Sequence, residues 1–262
     1  LPNADWIRKE HGSKSVTIEN ITYAYDQAAL GNGMLEEFAL SEEERELSKK
    51  YGSLASNVHT DLHECLGHGS GQLLSGTSSE ALRNYQSALE ESRADLFALY
   101  YIMDPKMVEL KVLPSTDAAI AEYNAYIRNG LLTQLTRIAP GKNIEQSHMR
   151  NRQLIASWCM EKGAADTVIE FVKREGKTYV KINDYIKLRD LFGTLLAEIQ
   201  RIKSEGDYEA GKKLVETYGV KVDKALHEEV LARFKKLNVA PYGGFINPVF
   251  TRVEDRGKVV DI

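Results

Sequence analysis

His63-Glu64-Cys65-Leu66-Gly67-His68 places two imidazoles around a carboxylate, and Glu90-Glu91-Ser92-Arg93-Ala94-Asp95 follows with an acidic pair. These side chains are the parts of a hydrolytic zinc centre. Such a centre takes three protein ligands, keeps one position open for water and needs a general base beside that water. The assignment that follows is His63, His68 and Glu91 as ligands of Zn2+, with Glu64 as the base. The reaction class is attack of metal-activated water on a carbonyl. Cobalt or copper would satisfy the same ligand set.

The spacing demands a local distortion. Zinc-binding His-Glu-x-x-His helices carry their histidines at i and i+4, about 40° apart around the helix. His63 and His68 are at i and i+5, which on a regular helix means about 140°, so the rings would diverge. A one-residue bulge with i→i+5 hydrogen bonding absorbs the difference, and Gly67 eases it. His59 and His63 form a rival pair at the ideal i, i+4 spacing, but no glutamate follows His59, and a polar helix face explains that pair as well. Glu91 and Asp95 share a face of the next helix. That suits one ligand and one carboxylate that receives a ligand's ring N–H, with Glu90 placed to orient the other histidine or the water. Without the upstream motif, a solvated charged face would account for Glu90, Glu91, Arg93 and Asp95.

The elements that must position these groups read as helices. Ser41-Glu42-Glu43-Glu44 has the form of a capping box and opens a helix to about residue 50, which Gly52 interrupts. A second helix runs from Leu54 towards His68, with Val58, Leu62, Cys65 and Leu66 as its apolar stripe. On that stripe Cys65 is a small residue packed inward. The acidic helix ends at Asp104-Pro105 and turns Tyr85, Leu89, Leu96, Leu99 and Met103 to the core. Further helices fit 115–138, 144–161, 164–174, 184–204, 208–218 and 223–237. Glu175-Gly176-Lys177 reads equally as the turn of a short hairpin. From Pro241 the chain reads as loop plus an extended strand.

Bulk properties set outer limits. The 262 residues are long enough to bury a sizeable core, and 43% hydrophobic with 27% charged is an ordinary globular composition. A net charge of −4 with scattered basic residues argues against nucleic acid. No apolar stretch approaches the roughly 20 residues that span a bilayer. Two cysteines imply no disulfide framework. Leu1-Pro2-Asn3 has neither an initiator methionine nor a signal-peptide pattern and reads as cut from a longer protein. The expectation is a soluble chain, cytoplasmic by preference, with the periplasm and other compartments left open.

His-Glu-x-x-Gly-His followed by Glu-Glu-x-Arg-Ala-Asp resembles the paired signature of the dipeptidyl peptidase III family of zinc exopeptidases. The stretch from Leu62 to Leu73 is similar to that family's zinc helix, and Gly12-Ser13-Lys14-Ser15-Val16 and His148-Met149-x-x-Arg152 also resemble it. The resemblance implies that His63, His68 and Glu91 bind zinc and that Glu64 handles the proton of the attacking water. It implies that His148 steadies the tetrahedral intermediate or the peptide carbonyl, and that Arg128 and Arg152 line the cleft. Chemistry alone would place His148 and Arg152 on a surface. The implied activity is release of dipeptides from the free amino end of short peptides. Members are two-lobed and much longer, so the implied partner is an N-terminal lobe of the same parent chain. That lobe would supply groups for the substrate's ammonium end and a tyrosine for the transition state, and without it the chain should cleave poorly.

The fold expected is mainly α: a helical zinc-metallopeptidase domain over 1–240, and a small strand-containing region over 241–262. Two other functions compete. One is a zinc-stabilised scaffold that binds peptides without cleaving them, which the intact Glu64 disfavours. The other is a zinc hydrolase acting on a non-peptide amide.

Overall fold

The computed structural model describes residues 10, 20, 23–25, 29, 31–239 and 253–261. Gly12-Ser13-Lys14-Ser15-Val16 and the loop expected after Pro241 lie outside them. After a short helix α1 (Met34–Phe38), Ser41 caps α2 (Glu42–Leu62) by accepting from the Glu44 N–H at 3.2 Å. Glu44 closes the reciprocal bond on the Leu40 N–H, one residue before the cap, at 2.8 Å. α2 runs unbroken through Gly52, where the sequence suggested an interruption. A helical glycine costs roughly 1 kcal/mol, and packing of α2 against its neighbours outweighs it.

The next long helix, α3 (Gln86–Ile102), is the centre of the molecule. Buried residues lie on most of its circumference, Ala88, Leu89, Ser92, Arg93, Ala94, Asp95, Leu96 and Leu99 among them. A helix enclosed on most sides is a core helix rather than an amphipathic cover. Asp104 caps the short α4 (Pro105–Glu109), so the Asp104-Pro105 stop falls where the sequence set it. α5 (Thr116–Leu131) continues as a 3-10 turn over Thr133–Arg137, and α6 (Ser147–Lys162) follows. A Cβ on Gly130 of α5 would lie 2.6 Å from the carbonyl oxygen of Arg152. The bare glycine lets α5 and α6 meet backbone to backbone, which brings the start of α6 to the edge of the α2–α5 groove.

The segment 164–174 is not a helix: Ala164–Asp166 is a 3-10 turn and the hairpin follows. β1 (Ile169–Arg174) and β2 (Lys177–Ile182) pair antiparallel in the register Ile169↔Ile182 to Arg174↔Lys177. Glu175 and Gly176 both take positive φ, 50° and 74°, as a two-residue turn of right-handed strand twist requires. α7 (Tyr185–Glu205), α8 (Tyr208–Tyr218) and α9 (Lys224–Leu237) are each opened by an aspartate side chain, from Asp184, Asp207 and Asp223. β3 (Val253–Asp255) and β4 (Lys258–Asp261) form a second small hairpin. The architecture is mainly α. Tyr85, Leu89, Leu96, Leu99 and Met103 are all in the core. Among the described residues no helix is long and apolar enough to cross a membrane.

Candidate metal centre

His63–His68 is one turn of π-helix that continues α2. The wider turn, with its i→i+5 bonding, brings residue i+5 back over residue i, which α-helical geometry could not do. Gly67 contributes in a way the sequence did not reveal. A Cβ there would fall 2.6 Å from the Ala94 Cα, so glycine is needed for the π turn to lie against α3. The same widening shifts the phase of the apolar stripe. Val58 is buried, but Cys65 and Leu66 face solvent, so the expectation of an inward-packed Cys65 is corrected.

Three acceptor atoms converge. His63 Nε2 and His68 Nε2 are 3.0 Å apart, and Glu91 Oε2 lies 3.4 Å from the first and 3.8 Å from the second. A triangle with those sides has a point about 2 Å from every corner, the length of a zinc–nitrogen or zinc–oxygen bond. Each ring has turned its other nitrogen to a carboxylate. His63 Nδ1 lies 2.6 Å from Asp95 Oδ1, and His68 Nδ1 lies 3.0 Å from Glu90 Oε1. With those N–H groups donating, both Nε2 atoms present lone pairs. Glu91 Oε2 is buried and accepts no hydrogen bond. Arranged that way the three atoms fit a cation, and the nitrogen–nitrogen–carboxylate donor set suits zinc. His59, His63 and Asp95 also cluster, but their 2.6 and 3.2 Å contacts are hydrogen bonds already made.

The orienting groups are themselves held. Asp95 Oδ2 accepts from the Tyr126 hydroxyl at 2.7 Å and from the Asn151 amide at 2.8 Å. Burial pushes the Asp95 carboxyl up, but His59 and His63 outweigh it and keep it well below the usual range. Glu90 takes Arg93 at 2.7 Å and Lys203 of α7 at 2.6 Å. It too is held low against its burial, by His68 and Arg93. His59 is the most enclosed ring. Its Nε2 lies 3.2 Å from Asp95 Oδ1. Its Nδ1 lies 3.0 Å from Glu122 Oε1, an ion-pair distance off the line of a hydrogen bond. Burial disfavours charge on this ring, yet Glu122 and Asp95 prevail and raise it to about 10.

The other site candidates divide. A carboxylate oxygen of Glu64 lies within 4.8 Å of a nitrogen on each of His63 and His68, about the span one bridging water covers. His148, near the start of α6, is half exposed and puts Nδ1 3.4 Å from Glu91 Oε2. Arg152 lies one turn further along. Glu64, His148 and Arg152 line a cleft of about 460 Å³ with His59, His63 and Glu122. Arg128 is not brought to this cluster. Its guanidinium pairs with Glu44 in the first turn of α2, about 28 Å along the helix from His63. Sequence reasoning missed Glu122, Tyr126, Asn151 and Lys203. The one available signal was Glu122, a carboxylate on the apolar face of α5 between Ala119 and Tyr126.

The profile of peptidase family M49 matches residues 1–86 and 76–236. Dipeptidyl peptidase 3 of Mus musculus is 26% identical over 291 residues, covering 92% of this chain and 38% of its own length. That of Homo sapiens is 25% identical over the same length. The chain therefore spans about two fifths of the curated relatives it matches. The structure of DPP III from Caldithrix abyssi superposes with a TM-score of 0.67 at 25% identity, over 91% of this chain and 42% of that one. Dipeptidyl-peptidase III from Corallococcus sp. strain EGB gives 0.68 at 20% identity, a likeness of fold.

Proposed function

Since this chain belongs to peptidase family M49, we propose that it is the metal-bearing part of a zinc exopeptidase that releases dipeptides from the amino end of short peptides. The observation that carries the reading is the meeting of His63 Nε2, His68 Nε2 and the unpartnered Glu91 Oε2. In this reading His63, His68 and Glu91 hold the ion. When bound, zinc supplies a Lewis acid that polarises the scissile carbonyl and acidifies water. Glu64 takes the proton from the attacking water and returns it to the departing amine. His148, at the mouth of the cleft, donates to the carbonyl oxygen as charge builds there. Arg152 orients the peptide from the next turn of α6. Arg128, paired with Glu44, acts on the cleft through the α2–α5 contact rather than by touching substrate.

Residues 1–240 are read as the metal-bearing domain and 241–262 as its tail. The relatives are more than twice as long, so we place the grip on the substrate's ammonium end, an N-terminal lobe, outside these residues. Oriented binding contributes much of an enzyme's rate, and the 262 residues alone should turn over slowly. The test is zinc content by plasma emission together with hydrolysis of dipeptidyl-naphthylamides, before and after chelation and after zinc is restored. Glu64→Gln should keep one zinc and lower turnover by about 10²–10⁴-fold. Turnover that survives either chelation or this substitution would sink the proposal.

A further inference from the structure

His59 is left unassigned by the reading above. It stands one helical turn before His63, is buried, and stacks on Tyr126 with ring centroids 5.6 Å apart. Its two ring nitrogens face carboxylates from different helices. Nε2 meets Asp95 Oδ1 of α3 at 3.2 Å, and Nδ1 meets Glu122 Oε1 of α5 at 3.0 Å. The oxygen that receives His59 is the one that receives His63 Nδ1 at 2.6 Å. Asp95 Oδ1 is therefore held from two successive turns of α2, while Tyr126 and Asn151 hold Oδ2.

We infer that His59 is a positioning residue: by clasping Asp95 from one side and Glu122 from the other, it fixes the carboxylate that sets the tautomer and angle of His63. The inference rests on the zinc reading above. With His59 in place, each oxygen of Asp95 has two partners, which fixes the carboxylate plane. Without it, Asp95 Oδ1 answers to His63 alone, and only the Oδ2 partners Tyr126 and Asn151 resist a tilt of the carboxylate with His63. Loss of an outer partner of a metal-bound histidine typically lowers metal affinity about 10–100-fold. A second consequence concerns α5, which contributes no ligand in this reading. It joins the centre through Glu122 and Tyr126, so a shift of α5 is transmitted to His63.

The test is competition for zinc against a chromophoric chelator, paired with the visible spectrum of the cobalt-substituted protein. His59→Leu should weaken zinc about 10–100-fold and shift the cobalt bands. His59→Gln, which keeps a donor for Asp95, should bind within about threefold of wild type with unshifted bands. Wild-type affinity in His59→Leu overturns the inference, and so does a His59→Gln as weak as His59→Leu. If His59→Leu does not fold, a cycle between Glu122→Ala and His59→Gln decides. Glu122→Ala should weaken zinc in the wild type and not in His59→Gln, and equal losses in both overturn it. His68→Ala separates the two readings. No zinc in the wild type, or no loss in His68→Ala, sinks the zinc reading itself and this inference with it.

Discussion

Two knots of buried charge stand among the described residues, one at the π turn and one where α9 meets β2 and α1. In the second, Arg233 is nearly enclosed and donates to Glu37, to Glu229 and to the backbone carbonyls of Thr178 and Glu37. The rings of Phe38 and Tyr179 cover its faces. Glu229 takes both the N–H and the hydroxyl of Thr178, and Glu37 takes Lys177. Every carboxylate oxygen there receives a proton donor from the protein. At the π turn the charges are as well buried and as numerous, but the count does not close: Glu91 Oε2 receives no hydrogen bond where it converges with His63 Nε2 and His68 Nε2. Buried polar groups are satisfied unless something else is meant to satisfy them. The closed knot is a tie between elements, and the open one is where we propose that a ligand sits.

The sharpest way to break that contrast is Glu91→Gln. Zinc affinity should fall by more than the 100-fold that outer partners command, while the metal-free protein loses only the attraction between Glu91 and the histidines that hold its carboxyl low. Chelator competition and calorimetry of the metal-free protein check the two halves. Arg233→Met should do the reverse. Unpairing a buried ion network costs about 3–5 kcal/mol, read by urea unfolding, with zinc affinity unchanged within about threefold. Gly67→Ala should act on both properties, since the added Cβ must displace Ala94. Overpacking of this kind costs about 1–3 kcal/mol, and the π turn that carries both histidines moves with it.

The smallest effect is on pH dependence, and its sign differs between the knots. Burial pushes Glu37 and Glu229 up, but Lys177 and Arg233 on the first and Thr178 on the second hold both below the ordinary value of 4.5. Their stabilisation is present above that value and is lost as pH falls through the lowered ones. His59 is raised from 6.5 to about 10, so its contribution is complete below 6.5 and fades as pH climbs towards 10. Melting of the metal-free protein should thus decline at both ends of the range. Arg233→Met should flatten the acid limb and His59→Gln the alkaline one. A single limb removed by both variants would erase the distinction.

How much of this was legible in the residues follows from distance along the chain. The proposed ligand set and its base sit in two six-residue words, and the arithmetic of i, i+5 alone calls for a π turn. Asp95 and Glu90 follow from helical spacing in the same way. The path through Gly52 was not legible, because a local penalty of roughly 1 kcal/mol is decided by packing against helices far along the chain. Cys65 was misjudged because the stripe was counted at 3.6 residues per turn through a segment that does not keep that period. Glu122, Asn151 and Lys203 carry no local signature. They acquire meaning only when α5, α6 and α7 close around α3. Arg128 shows the converse: a basic residue whose partner, Glu44, lies on another helix.

The side chain of Arg93 runs fully buried from α3 to the π turn, giving one nitrogen to the Gly67 carbonyl at 2.7 Å and another to Ser70 Oγ at 3.2 Å. Two histidines five residues apart look portable, and a short peptide copied from them would be a natural graft. Cut from α3, that peptide would lose the clasp that keeps its widened turn from relaxing to an ordinary helix with diverging rings. What can be transplanted into another protein is therefore not the motif but two helices pinned together by one arginine.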